Sequence, residues 1–379
     1  MTSPTATTAR PRTPARPGVR LRAMDALRLL AALAVVLFHF TTRDHGRWGA
    51  QLPHELFPAL SHVVRYGYAG VHLFFTISGF VILMSVWGRS PRQFVASRIS
   101  RLYPAFWVAV LATATLRWAW PAFSDRSIGE VLANLTMFHE PFGIPSVDGV
   151  YWTLWVEMQF YLLMLVMAFL GITRRRVLAV AFALPLVCTA LVMTVPHVDA
   201  RATALSWAPL FAAGMVLYVI YRDGHSWQRW ALVGLNAAQA MVIGATHKID
   251  VIDAVASGEH TSALLFSLVV LGTIAAVAAV ALVPAVRDLD WRVLTFLGAL
   301  TYPLYLLHEY FGWALIQVLH PVLGKWLTLT AAVVLSLLMA WLVHRFVEQP
   351  VHRPLRKALE GVGPHLGEDR ATRRYPAAR

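Results

Sequence analysis

An arginine and a histidine stand eleven residues apart in LRAMDALRLLAALAVVLFHF, residues 21–40, a stretch that is otherwise apolar beyond Asp25. An ionisable side chain at the centre of a membrane-spanning helix costs roughly 2.5–3.5 kcal/mol, so Arg28 and His39 demand a use. Glu157 in WTLWVEMQFY and His308 in LTYPLYLLH interrupt apolar runs in the same way. A histidine beside a carboxylate or a second histidine combines a general base with a group that orients it or stabilises its cation. Arg98 and Arg101 in RQFVASRISRLYPAFW are three residues apart and share a face if helical. They serve equally as topology anchors or as planar, bidentate donors to a phosphate-rich ligand. His54, His62, His72, His320 and His344 read as interfacial, although His72 borders the stretch GVHLFFTISGF.

These residues need helices that cross a lipid bilayer. The 379 residues are 58% hydrophobic and only 14% charged, against about 25% charged in soluble domains. The chain therefore reads as an all-α integral membrane protein. With about 20 apolar residues needed per crossing, ten spans are expected, at 23–42, 68–88, 102–119, 150–171, 177–195, 203–221, 230–247, 262–284, 293–318 and 326–346. Residues 1–22 form a disordered basic tail in this reading, 23–347 the membrane domain, and 348–379 a basic C-terminal tail. No small-residue cleavage site follows a short apolar core, which argues against a signal peptide. Residues 127–138 read as a short amphipathic helix within a loop. The single cysteine, Cys188, excludes an intrachain disulfide framework and a cysteine-based zinc cluster.

The net charge of +13 does not indicate nucleic acid, because the basic residues gather in short loops and tails rather than on a face interleaved with aromatics. They favour alternate loops. Arg89, Arg92, Arg98 and Arg101 share one, and Arg174, Arg175 and Arg176 the next of the set, whereas the loop between them holds only Arg126. The positive-inside rule then puts both termini in the cytoplasm, with basic loops against anionic lipid headgroups. With that orientation and a rise of 1.5 Å per residue, about 16 Å separates Arg28 near the inner end from His39 in the outer half. His39, Glu157 and His308 are expected to share one layer of the outer half.

MDALRLLAALAVVLFHF, GVHLFFTISGF, RISRLYP, WTLWVEMQFY, LTYPLYLLH and FVEQP occur in the order seen in the membrane-bound acyltransferase-3 family, which the chain resembles from about residue 22 to 354. The resemblance implies ten core helices and transfer of an acyl group, often acetyl, from acyl-CoA to hydroxyls of sugars and other acceptors. The family's arginine and histidine, separated by ten residues, match Arg28 and His39. Its paired arginines match Arg98 and Arg101, and its fourth-helix carboxylate matches Glu157. Met158 stands where many relatives carry a second acidic residue, which disfavours an acidic-pair mechanism. Thr301 replaces a common serine and keeps the hydroxyl. No hydrolase-like domain is expected after the last span.

On this resemblance His39 is the expected general base, with Glu157 or His308 orienting it or stabilising its cation. Arg28, Arg98 and Arg101 would hold the polar part of acyl-CoA, a co-substrate rather than a tightly bound cofactor. Ser78 is a candidate oxyanion donor beside the thioester. The acceptor would be a cell-envelope glycan or a glycosylated metabolite such as a macrolide, and the location the cytoplasmic membrane. A proton-coupled transporter of a polar solute would also use intramembrane His, Glu and Arg. Against it, the chain has neither an internal repeat nor matching pairs of Gly/Pro-broken helices.

Overall fold

The computed structural model describes residues 21–195, 204–256 and 260–361. The expected N-terminal tail up to residue 20, and the C-terminal one from 362, lie outside the described residues. Regular structure among the described residues is entirely helical. The principal helices are α1 (Arg22–Thr41), α2 (Gly70–Val86), α3 (Pro91–Ala119), α4 (Trp152–Leu170) and α5 (Arg174–Thr194). They continue with α6 (Ala208–Asp223), α7 (Trp227–Ile243), α8 (Ala263–Leu282), α9 (Arg292–Val343) and α10 (Gln349–Gly361).

Eight helical runs among the described residues are long and apolar enough to cross a membrane. Two local features separate that number from the ten expected spans. The seventh, α7, has only 17 residues before a π-helical turn at Gly244–Lys248 carries the chain into Ile249–Val255. The last two are merged in α9, whose 52 residues contain one non-helical position, Gly324, at φ 69°. A straight helix of that length would extend about 78 Å, more than twice a hydrocarbon core of about 30 Å. Glycine adopts the left-handed φ without a Cβ clash and so divides α9 into two lengths.

α3 begins well before its expected span because Ser90 caps it. The Ser90 side chain accepts from the Gln93 amide, Gln93 reaches back to the Ser90 amide, and Pro91 occupies the first turn. Arg98 and Arg101 consequently sit on a helix. The short helix expected near 127–138 forms at Ile128–Asn134, with Ser127 and Glu130 as its capping box. From residue 349 the expected tail is, in its described part, the amphipathic helix α10, which packs on α3.

In lipid no hydrophobic effect pulls helices together, so close approach of backbones must do so. α2 and α6 meet at Gly79 and Gly214. A Cβ on Gly79 would lie 2.1 Å from the Phe211 carbonyl oxygen, and one on Gly214 the same distance from that of Thr76. α6 is buried continuously from Ala208 to Ile220 and forms the centre of the bundle. α5, α8 and the second length of α9 instead expose Phe182, Val187, Leu264, Leu268, Val334 and Leu338, as helices facing acyl chains must.

The two ends of the bundle differ in chemistry. At the loop end, Asp44 donates its amide to the Val255 carbonyl, Arg47 bonds the Ala122 carbonyl, and Lys325 bonds that of Leu56. At the opposite, basic end, Arg22 pairs with Asp290 at 2.9 Å and Arg92 donates to the Leu359 carbonyl on α10. α1 and α9 form the most extensive helix pair and run between these ends.

Candidate active site

His39 occupies the last turn of α1, and His308 faces it from α9. His39 Nδ1 and His308 Nε2 are 2.8 Å apart, with ring planes within 9° of parallel. The direction of this hydrogen bond follows from the far side of His308. Its Nδ1 lies 2.9 Å from the Tyr305 carbonyl oxygen and 3.2 Å from that of Leu304. Carbonyls only accept, so Nδ1 carries the proton and neutral His308 has a bare Nε2. His39 Nδ1–H therefore donates to His308. That leaves the His39 Nε2 lone pair free to take a proton. His39 borders a 30 Å³ cavity with Arg43, Tyr68, Gly149, Trp152 and Tyr305.

A carboxylate joins this pair. Glu309 Oε2 lies 3.6 Å from His39 Nδ1, and Glu309 Oε1 accepts from Arg43 at 3.0 Å. Glu309 is fully buried, so its charge acts in a low-dielectric setting and favours an imidazolium on His39. Glu309 is not among the residues singled out from the sequence, where it directly follows His308. An acidic residue inside an apolar run was the available signal. Arg43 reads from sequence as a loop charge, and nothing in its surroundings there points to Glu309.

Glu157 does not share the layer of His39 and His308. Its Oε1 accepts from Ser78 Oγ at 2.7 Å, and both line a 110 Å³ cavity with Arg28, Arg98, Arg101, Thr301, Tyr302 and Tyr305. The crossing containing α4 starts at Gly149, so Glu157 is about two turns, roughly 12 Å, into it, whereas His39 lies in a terminal turn. The expected bounds of both spans, 23–42 and 150–171, lie within one residue of the observed ones. The outer half of a hydrocarbon core is, however, about 15 Å deep, almost three helical turns, too thick a layer to decide which side chains meet. Ser78 likewise spends its hydroxyl proton on Glu157 instead of presenting it to the cavity. Arg28 also approaches Asp25 at 3.7 Å.

Three cavities follow one another along the bundle. A 720 Å³ vestibule at the basic end is lined by Arg28, Arg101, His344, Glu348, His352 and Arg353. It shares Arg28, Arg101, Gly298 and Tyr302 with the 110 Å³ cavity. That cavity in turn shares Val71 and Tyr305 with the small one at His39. Tyr305 is held at the junction, accepting from Thr153 Oγ1 at 2.9 Å and donating to the Val150 carbonyl at 3.3 Å.

A helical membrane protein with an oriented histidine at one end of such a file and clustered arginines at the other has the parts of a group-transfer enzyme. The chain belongs to the membrane-bound acyltransferase-3 family, whose acyltransferase domain matches residues 21–345. It is similar to peptidoglycan O-acetyltransferase OatA of Listeria monocytogenes serovar 1/2a, 27% identical over 160 residues, 37% of this chain and 23% of the relative. It is also similar to exopolysaccharide production protein ExoZ of Rhizobium meliloti, 36% identical over 110 residues, 26% of this chain and 34% of the relative. The chain thus covers less than two thirds of the length of each. No solved structure matches it.

Proposed function

We propose that this protein is a membrane O-acyltransferase that moves a short acyl group from acyl-CoA, entering at the basic end, to a carbohydrate hydroxyl presented at the loop end. The basic end faces the cytoplasm in this proposal, both termini lie there, and ten spans cross the cell membrane, with α7 and the two lengths of α9 included. The observation that carries the reading is the file of cavities joining the arginine-lined vestibule to His39.

The chemistry then runs without a covalent enzyme intermediate. His39 Nε2 removes the acceptor hydroxyl proton while that oxygen attacks the thioester carbonyl. The Glu309 carboxylate stabilises the imidazolium, and His308 fixes the ring. The tetrahedral intermediate collapses with cleavage of the C–S bond, and the proton on His39 passes to the CoA thiolate. Arg101 and Arg28, shared by the vestibule and the middle cavity, hold donor phosphate or the polar pantetheine arm. Glu157, bonded to Ser78, offsets the charge of the neighbouring arginines when the site is empty.

The names of the relatives, peptidoglycan O-acetyltransferase and exopolysaccharide production protein, support a cell-envelope glycan as the acceptor. A glycosylated small molecule such as a macrolide offers the same hydroxyl chemistry. Comparing envelope glycans and secreted metabolites by mass spectrometry, with and without the gene, tests the assignment. An acyl mass increment lost on deletion is expected. No change in either fraction, together with no consumption of acyl-CoA by purified protein, would overturn it.

A further inference from the structure

Behind His39 lies a second buried carboxyl group that the transfer chemistry does not use. Asp148 ends the loop before α4 and is completely buried. Its Oδ1 accepts from the Val150 amide at 3.1 Å, but Oδ2 has no hydrogen-bond donor among the described residues. Glu309 has the same asymmetry, with Oε1 bonded by Arg43 and Oε2 left without a donor. The two carboxyl groups adjoin each other and each acts on the other's charge. Gly149 makes room for this approach, since a Cβ there would lie 2.9 Å from Glu309 Oε1 and 3.4 Å from Oε2.

Two adjoining buried carboxylates cannot both remain ionised without a large repulsion. Each would also leave an acceptor oxygen unsatisfied. A single proton removes both costs by turning one acceptor into a donor. We infer that Asp148 is protonated and donates through Oδ2 to Glu309 Oε2, making Asp148 the positioning residue that holds the ionised Glu309 carboxylate against His39. Burial, then the charge of Glu309, pushes the Asp148 carboxyl well above the usual carboxylate range. The charged and titratable groups facing the pair are Arg43, Arg117, His39, Tyr151, Tyr305 and Tyr310. Arg43 bonds Glu309 directly, which keeps the ionised form on that side. Arg117 is engaged by the Ser124 and Val147 carbonyls and by Tyr310 Oη, and makes no hydrogen bond to either carboxylate.

The proton is tested by infrared difference spectroscopy on the purified full-length protein at neutral pH. Wild type minus Asp148→Asn is expected to show a protonated-carboxyl C=O band that shifts in heavy water. Its absence would mean that both groups are ionised and would overturn the assignment. The positioning role rests on His39 as base and is read separately from kinetics. Asp148→Asn still donates to Glu309 and should keep kcat within about threefold, whereas Asp148→Ala leaves Glu309 Oε2 unsatisfied and should lower it about tenfold or more at unchanged donor KM. Equal losses in both variants at equal folded fraction would refute the positioning role. A band with no acyl transfer by wild-type protein would leave the shared proton standing and sink only the enzymatic reading.

Discussion

The two polar clusters on the bundle axis are built on opposite principles. At the loop end, His39 lies 2.8 Å from His308 and 3.6 Å from Glu309 and borders a cavity of only 30 Å³, enough for two or three water-sized groups. Each side chain has its orientation fixed by a partner. At the basic end, Arg28, Arg98, Arg101 and Glu157 surround a cavity of 110 Å³ that adjoins a vestibule of 720 Å³. Arg98 contributes cation–π contacts with Phe94 and Tyr161, and its Nε is buried without a hydrogen-bond partner. Tight mutual orientation suits a proton transfer whose geometry must be set in advance. Space and unspent donors suit capture of a large polar ligand. In the proposed function, chemistry falls to the first end and binding to the second.

The largest expected effect is at His39. A positioned general base contributes typically 10²–10⁴-fold, so His39→Ala and His39→Gln should lose about that much kcat while acyl-CoA still binds. Turnover is normalised to the acyl-CoA-binding fraction, and near-normal turnover of His39→Gln on that scale would dismiss the base. Next, the two glutamates should behave differently. Glu309→Gln should lower kcat about 10–100-fold with little change in donor KM, as expected for lost transition-state charge stabilisation. Glu157→Gln should act mainly on donor KM. Matching kinetic signatures for the two would erase the division between the ends.

A smaller change is expected from the arginines. Arg98→Ala or Arg101→Ala should raise the KM for acyl-CoA about tenfold, the value of one lost charge-assisted hydrogen bond, more than it lowers kcat. Lysine should rescue only in part, because it lacks the bidentate fork. Unchanged donor affinity in folded protein would return both arginines to topology anchoring. The smallest effect is one of pH, confined to the loop end. His139 is buried against Ser146 Oγ at 2.9 Å, and burial lowers its pKa to about 4, against 6.5 for a free histidine. The folded loop thus keeps a neutral ring where the opened loop takes up a proton. Its stability is complete above pH 6.5 and falls as the pH drops from there towards 4. Amide exchange over residues 134–148, corrected for intrinsic rate, should accelerate between pH 7 and 5, while helices at the basic end stay protected. Uniform protection throughout would show that His139 does not set the loop's stability.

Composition and apolar run length alone determined that the chain is a helical membrane protein, because lipid leaves a backbone no other way to satisfy its polar groups in such runs. The ordered motifs alone indicated the acyltransferase-3 family. His39 and His308 were legible singly, as ionisable groups whose burial in lipid demands a use, and Arg98 with Arg101 from their helical spacing. Only the tertiary structure decided which groups meet. It set Glu157 beside Ser78 and the arginines, and brought Glu309, Arg43 and Asp148 from three separate segments to His39. Side-chain partnership depends on helix rotation and on depth to within one turn of 5.4 Å. Close glycine contacts, such as those of Gly79 with α6 and Gly149 with Glu309, fix both. Hydropathy has no means of recording either, since it reports how far a segment extends through lipid and not what its polar residues face.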